Sequence, residues 1–262
     1  MLSFQPPTIA QFSYVIHFKD VQEKIRYAQG DAEVAFGSFG AGQSQQTNVP
    51  DVTDPAVPRI LFVKGERNIS ISSQAVQLQH TYPAPANPSN LTDRFLELAN
   101  EVQAFHAQAL DFERDGRKYG TVALIVVVNY PSEAGMTDLH KYFLDRFLKI
   151  EPLGDLASTS FSAGFRKGDF FLNVNGGVYE LRQFDLKMDK PGFINPANLA
   201  LGTKDSKVIS KGMQFTIDVN DRPRLMPASM KDGSTRPEQM IELARDLILE
   251  KLPNIAQGRA LS

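Results

Sequence analysis

Cysteine and tryptophan are both absent from this chain of 262 residues. Without cysteine there are no disulfides, no thiolate nucleophiles and no cysteine-based zinc sites. An excess of one charge sign is lacking too. The 28 basic and 30 acidic residues are mixed along the chain, for a formal net charge of -2. Nucleic-acid binders carry a basic excess or a basic stripe, so no nucleic-acid partner is expected. Long apolar runs are missing as well. The longest, Val122 to Val128, falls far short of the roughly 20 residues needed to cross a bilayer as a helix. The opening Met1-Leu-Ser-Phe-Gln-Pro-Pro has neither a charged n-region nor an apolar h-region, so no signal peptide is read there. The expectation is a soluble, cytoplasmic protein with no membrane contact.

Signatures of chemistry are equally scarce. The four histidines, His17, His80, His106 and His140, show no i, i+4 pair of a zinc motif, and no metal site is expected. No Gly-x-Ser-x-Gly elbow occurs. Gly37-Ser-Phe-Gly40-Ala-Gly42 resembles a phosphate-cradling loop in its glycines only. It is followed by Gln-Ser-Gln-Gln-Thr and soon by Pro50, not by a helix opening on Lys-Ser/Thr, so it reads as a flexible loop. No catalytic residue and no cofactor are expected. Asp218 and Asp221, followed by Arg222 and Arg224, read either as an anion or partner site or, more plainly, as a solvated strand end.

What the chain does contain is one order of elements that occurs twice. With 42% hydrophobic residues it has material for one large core or two modest ones. Ala10, Phe12, Tyr14, Ile16 and Phe18 alternate with polar neighbours, the mark of a half-buried antiparallel strand. Asp20 caps a short helix carrying Val21, Ile25 and Ala28. A Gly-, Ser- and Pro-rich loop, 36–58, precedes strands at 59–63 and 69–80, the second with a parity switch near Ser72-Ser73-Gln74 that predicts a bulge. Asn90 caps a long helix on which Leu91, Phe95, Leu98, Val102, Phe105, Ala109 and Phe112 share one face, and Asp115-Gly116 stops it.

The order restarts with 121–130, apolar on both parities and so buried on both faces. A short helix spans 137–148. A meander follows, with Thr159, Phe161, Ala163 and Phe165 inward, a turn at Lys167-Gly168 and a hairpin signal at Asn175-Gly176. Tyr179 to Leu186 reads as a further strand, and a second long loop covers 188–211. Met213, Phe215, Ile217 and Val219 alternate inward, and the capping box Thr235-Arg-Pro-Glu238 opens a closing helix. The expected fold is α+β: two similar halves, 1–116 and 117–262, each an antiparallel sheet packed on a long amphipathic helix. The second apolar face of 122–128 needs cover from the other half or from a second subunit.

Pro6-Pro7-Thr8-Ile9 before the first strand, Arg59-Ile-Leu-Phe leading into Val76-Gln-Leu, the apolar strand 121–130, and Phe215-Thr-Ile-Asp218-Val before the last helix carry a resemblance. In these the chain resembles a sporadically distributed family of bacterial proteins of about this length whose activity is uncharacterised. It departs from that pattern in lacking a Tyr–Trp element before the long helix. The resemblance implies an accessory role such as defence against mobile elements.

The function expected from these residues is a non-enzymatic binding or assembly module for a protein partner or a second copy, with loops 36–58 and 188–211 on its working surface. The alternative is a small-molecule sensor or carrier using the groove between sheet and helix, with His80, Tyr82 and His106 as polar handles. The plainer reading of His80 is a buried imidazole bonded to the backbone. An enzyme ranks below both, because no nucleophile–base pair is visible.

Overall fold

A computed structural model of the chain describes residues 2–37, 39, 43–50, 52–83, 90–114, 117–149, 151, 154, 156–184, 206–222 and 237–257. Nine strands form one antiparallel sheet: β1 (Thr8–Phe18), β2 (Gln45–Gln46), β3 (Pro58–Lys64), β4 (Arg67–Ser72), β5 (Ala75–Thr81), β6 (Tyr119–Pro131), β7 (Ser160–Lys167), β8 (Phe170–Phe184) and β9 (Ser206–Asn220). Their order across the sheet is β2-β3-β4-β5-β1-β6-β9-β8-β7. The helices are α1 (Gln29–Phe36), α2 (Leu91–Phe112), α3 (Met136–Phe143), α4 (Pro237–Arg245) and α5 (Leu252–Ala256). A π-helical turn, Leu144–Leu148, continues α3, and another, Asp246–Lys251, joins α4 to α5. Among the described residues no helix is long and apolar enough to cross a membrane.

The two sheets expected from the sequence are thus a single sheet. The reason lies in β1 and β6, which pair along nearly their whole length, with Phe12 opposite Val126, Tyr14 opposite Leu124 and Ile16 opposite Val122. Both are central strands, which explains why β6 is apolar on both parities: Val122, Leu124, Val126 and Val128 enter the core, while Ile125 and Val127 on the other face are half-buried. The strip is covered on one face only, and its second face needs no helix.

Period-two alternation places one side chain in two on the helical side of the sheet. There Phe12, Tyr14 and Ile16 of β1 meet Val76 and Leu78 of β5, Phe62 of β3, and Phe215 and Ile217 of β9 in one cluster with α2 and α4. A bulge between Ile9 and Gln11 turns Ile9 inward and leaves Ala10 half-exposed. Asn90 caps α2 as expected, its side chain accepting from the Thr92 amide at 3.0 Å, and Phe95, Leu98, Val102, Phe105, Ala109 and Phe112 are buried. Asp115-Gly116 and Thr235-Arg236 lie outside the described residues.

Four local expectations are corrected. The segment 69–80 is not one bulged strand but the hairpin β4–β5, turning at Ser72-Ser73-Gln74, where the Ser72 hydroxyl accepts from the amides of Gln74 and Ala75 at 3.1 Å. Asn175-Gly176 does not turn; it lies inside β8, opposite Thr216 and Phe215. Gly176 is there because the Phe161 ring of β7 lies against it, and a Cβ would come 2.4 Å from that ring. The apolar residues after Asp20 do not form one helix: Val21 is 52% exposed, and the chain makes a 3-10 turn at Ile25–Ala28 before α1. Finally, Phe165 does not face the core and is 58% exposed at the sheet edge.

The long loops also differ from expectation. Within 36–58, Gln45–Gln46 forms edge strand β2 on β3. Thr53 and Val57 are pinned by Arg59, whose guanidinium is buried and donates to their carbonyls. Of 188–211, residues 206–211 belong to β9, and 188–205 lie outside the described residues.

Candidate functional site

The sheet's second face carries the side chains that alternation turns away from the helices. Here the described residues place no helix, and most side chains remain half-exposed. Three cross-strand rows follow from the register. One runs Asn68, Gln79, Ser13, Ile125, Asp218, Asn173; the next Ser70, Gln77, Val15, Ala123, Asn220, Phe171; the third Thr81, Gln11, Val127, Thr216, Asn175. These rows hold amides and hydroxyls around a short apolar centre, Val15, Ile125 and Val127. Arg166 of edge strand β7 ends the second row opposite Phe171, and inside the rows the single charged residue is Asp218. Its carboxylate accepts from the Asn173 amide at 3.0 Å and the Asn220 amide at 2.9 Å, so the charge is spread into neutral neighbours. Gln77 donates to the Ser13 hydroxyl at 3.3 Å, and Gln214 to Asn129 at 2.9 Å.

A cleft of about 360 Å³ closes one end of this face. Gln11, Thr81, Val127, Asn129 and Gln214 of the sheet line it, together with Arg94 of α2. Its wall comes from β8 and β9, which pair beyond the end of β6 as a two-stranded ribbon from Glu180 opposite Lys211 to Phe184 opposite Ser206. Tyr179 and Ser210 join hydroxyls across the ribbon at 2.8 Å. Gly212 marks the departure point: its φ is +155, and a Cβ there would lie 2.1 Å from the Tyr130 carbonyl oxygen.

The three candidate handles divide into two places. His80 and Tyr82 stand together, ring centroids 4.2 Å apart, at the end of β5. His80 Nδ1 lies 2.9 Å from Glu101 on α2, whose other oxygen takes Arg67 at 2.5 Å. Arg94 caps the Tyr82 ring at 4.4 Å. Burial pushes the Tyr82 phenol well above its ordinary range, and its hydroxyl finds no hydrogen-bond partner among the described residues. His80 is therefore bonded to a carboxylate rather than to the backbone. Glu101 is not among the candidate handles; its place between Leu98, Val102 and Phe105 is the signal that this side chain reaches the sheet.

His106 is elsewhere. It is 8% exposed, its Nδ1 is 2.8 Å from the Tyr14 hydroxyl, and Phe105 stands edge-on to the same ring. The space between sheet and α2 is filled by these rings and by Phe36 stacked on Phe105 at 5.4 Å. The acid-and-arginine segment after β9 is committed internally: Asp221 accepts from the Val122 amide at 2.8 Å, and Arg222 lies on His17. Arg224 lies outside the described residues. Among the described residues no three His, Asp or Glu side chains form a group suited to a metal ion.

Burial holds three imidazoles below their ordinary 6.5: His17, pushed down to about 4 with Arg222 adding to the effect, His106 and His140. Below pH 6.5 the unfolded chain takes up protons that the folded chain refuses, so stability falls with pH. The contribution is whole above 6.5 and is lost progressively as pH falls to about 4. The melting temperature is expected to be level from pH 7 to 8 and to drop between 6.5 and 4, with His17→Gln flattening part of the slope. A profile unchanged by that substitution would contradict the assignment. Comparison with known proteins adds no constraint: no family model, no curated protein and no solved structure matches this chain.

Proposed function

We propose that the chain is a non-enzymatic binding or assembly module that recognises a protein partner on the open face of its sheet. The observation that carries this is the composition of that face: amides and hydroxyls around Val15, Ile125 and Val127, with one carboxylate inside the three rows and one arginine, Arg166, at their β7 edge. Protein interfaces are depleted of charge at their centres. Phosphate-backbone binding, by contrast, rests on lysine and arginine. Such a module would serve an accessory system, defence included, by holding a partner rather than by turnover.

The module is built from two similar halves, 1–116 and 117–262. Outward from β1 the neighbours are β5, β4 and β3; outward from β6 they are β9, β8 and β7. In each direction the first strand of the half is central and the next three follow in reverse order. A short helix, α1 or α3, follows the first strand, and α2 or α4 follows the fourth. This correspondence supports a duplication.

The test is a pair of charge substitutions at the centre of the face, Ile125→Arg and Thr216→Arg. Stability should change by no more than about 1 kcal/mol, because both side chains border solvent. Partner recovery with the tagged chain should fall at least tenfold by quantitative mass spectrometry. Equal recovery by wild type and both variants would remove the open face from the interaction; a second copy of the chain as sole occupant would make the module a homodimer. One observation favours a second reading, small-molecule sensing or carriage: the 360 Å³ cleft at the end of the face. A metabolite that raises the melting temperature, with the rise abolished by Gln11→Leu, would move the function there.

A further inference from the structure

The N-terminal segment before β1 is strapped across the end of the sheet. The Gln5 amide donates to the Pro131 carbonyl at 2.8 Å, and the Ser132 hydroxyl to the Ser3 carbonyl at 2.9 Å. On the helical side this strap roofs a second cleft, of about 570 Å³, against α3, its π-helical turn and α5. Small-molecule sites commonly measure about 300–1,000 Å³. Leu2, Phe4, Pro7 and Pro253 give it apolar walls, and Arg146 is the one charged residue among the described residues that line it. The guanidinium stands 5.7 Å from the Tyr142 ring centroid, and the Tyr142 hydroxyl is spent on the Ala256 carbonyl at 3.1 Å. Tyr130 is different. It lines the same cleft and is 4% exposed, yet its hydroxyl has no partner among the described residues. A buried donor left unmade is costly, and it calls for an acceptor.

We infer that this cleft binds a small amphipathic monocarboxylate, its carboxylate held by Arg146 and the Tyr130 hydroxyl and its hydrocarbon laid on the strap and the prolines. A guanidinium pairs with a planar carboxylate in two parallel bonds. Among the described residues no carboxylate lines the cleft, so they offer a cationic ligand no counter-charge. The hydrocarbon is either an alkyl chain or an aromatic ring, and the two are separated by the probes. The site is distinct from the open face and does not rest on the protein-partner reading.

The experiment is calorimetric titration of the full chain with decanoate, 3-phenylpropanoate, butanoate and decyltrimethylammonium, paired with thermal melts. Because the chain has no tryptophan and only seven tyrosines, tyrosine emission is a second readout. Binding of decanoate, of 3-phenylpropanoate or of both is expected, with butanoate and the cation at least tenfold weaker. Arg146→Gln should weaken the bound acid about tenfold. Tyr130→Phe should weaken it several-fold while leaving the ligand-free melting temperature unchanged or higher, since it deletes an unpaired hydroxyl. Neither acid binding overturns the inference. So does an acid that binds no better than the cation, or one whose affinity both variants leave unchanged.

Discussion

Gly212→Val should unfold the ribbon end of the sheet, and most of the protein with it. A Cβ at this position would sit 2.1 Å from the Tyr130 carbonyl oxygen and 3.0 Å from the Pro131 Cα, and both of these are backbone atoms of the central strand β6. No rotamer change relieves a clash with backbone, so either β6 or β9 must leave its register. We expect a destabilisation above about 4 kcal/mol, in the class reserved for a few severe mechanisms, seen as insoluble expression or loss of the cooperative melt. Gly65→Ala is the control. Its φ of +57 also favours glycine, but nothing lies within 4 Å of its Cβ, so only the left-handed backbone penalty of about 1–2 kcal/mol applies. If the two variants melt alike, conformation alone governs Gly212 and the close approach to Tyr130 is not limiting. The substitution also bears on function, because Gly212 sets the angle at which Tyr179 and Ser210 wall the cleft.

The second large effect is expected at Phe105. This side chain is fully buried and meets Tyr14, Phe36 and Phe39, with centroids 6.2, 5.4 and 5.8 Å away. It therefore ties α2 to both β1 and α1. Phe105→Ala removes a ring and leaves a cavity that three rigid rings cannot collapse into, a cost of about 3–5 kcal/mol. For a chain of this size that lowers the melting temperature by on the order of 10 °C. Phe105→Leu should recover more than half of the loss. If alanine costs under about 1 kcal/mol in a denaturant titration, α2 is not held to the sheet through this ring.

Much of the architecture was legible because single elements state their own periodicity. β1 alternates, α2 carries its apolar stripe behind an Asn90 cap, and β9 reads Met213, Phe215, Ile217, Val219 inward. What failed required a partner strand to be known. Asn175-Gly176 has the residues of a hairpin turn, and only the Phe161 ring on the neighbouring strand explains a glycine inside a continuous β8. The parity switch at Ser72–Gln74 fits a bulge or a hairpin equally well until β4 and β5 are paired. The open face was the least visible feature. Each of its residues is an ordinary polar position in its own strand, and their near lack of charge becomes a property only when the rows are aligned. Of the candidate site, His80 and Tyr82 were legible as neighbours at a strand end. Glu101, which binds the imidazole, was hidden among the other carboxylates of α2.

The pairing of β1 with β6 has a bearing on how the protein is made. Of the nine strands Thr8–Phe18 is made before the others, and its β5-side partner follows later, His80 lying 68 residues beyond the Phe12 with which it pairs. Its other edge waits for Tyr119–Pro131. Until then the middle of the finished sheet is an unsatisfied border, with Val15 and Ile16 among its apolar residues and a row of unspent amides and carbonyls. Long-range antiparallel pairing is slow, and unpaired strand edges invite association between chains. A strand that ends at the centre of the sheet is thus the one whose edge stays open longest during synthesis, and the seam between β1 and β6 is where association between chains competes with folding.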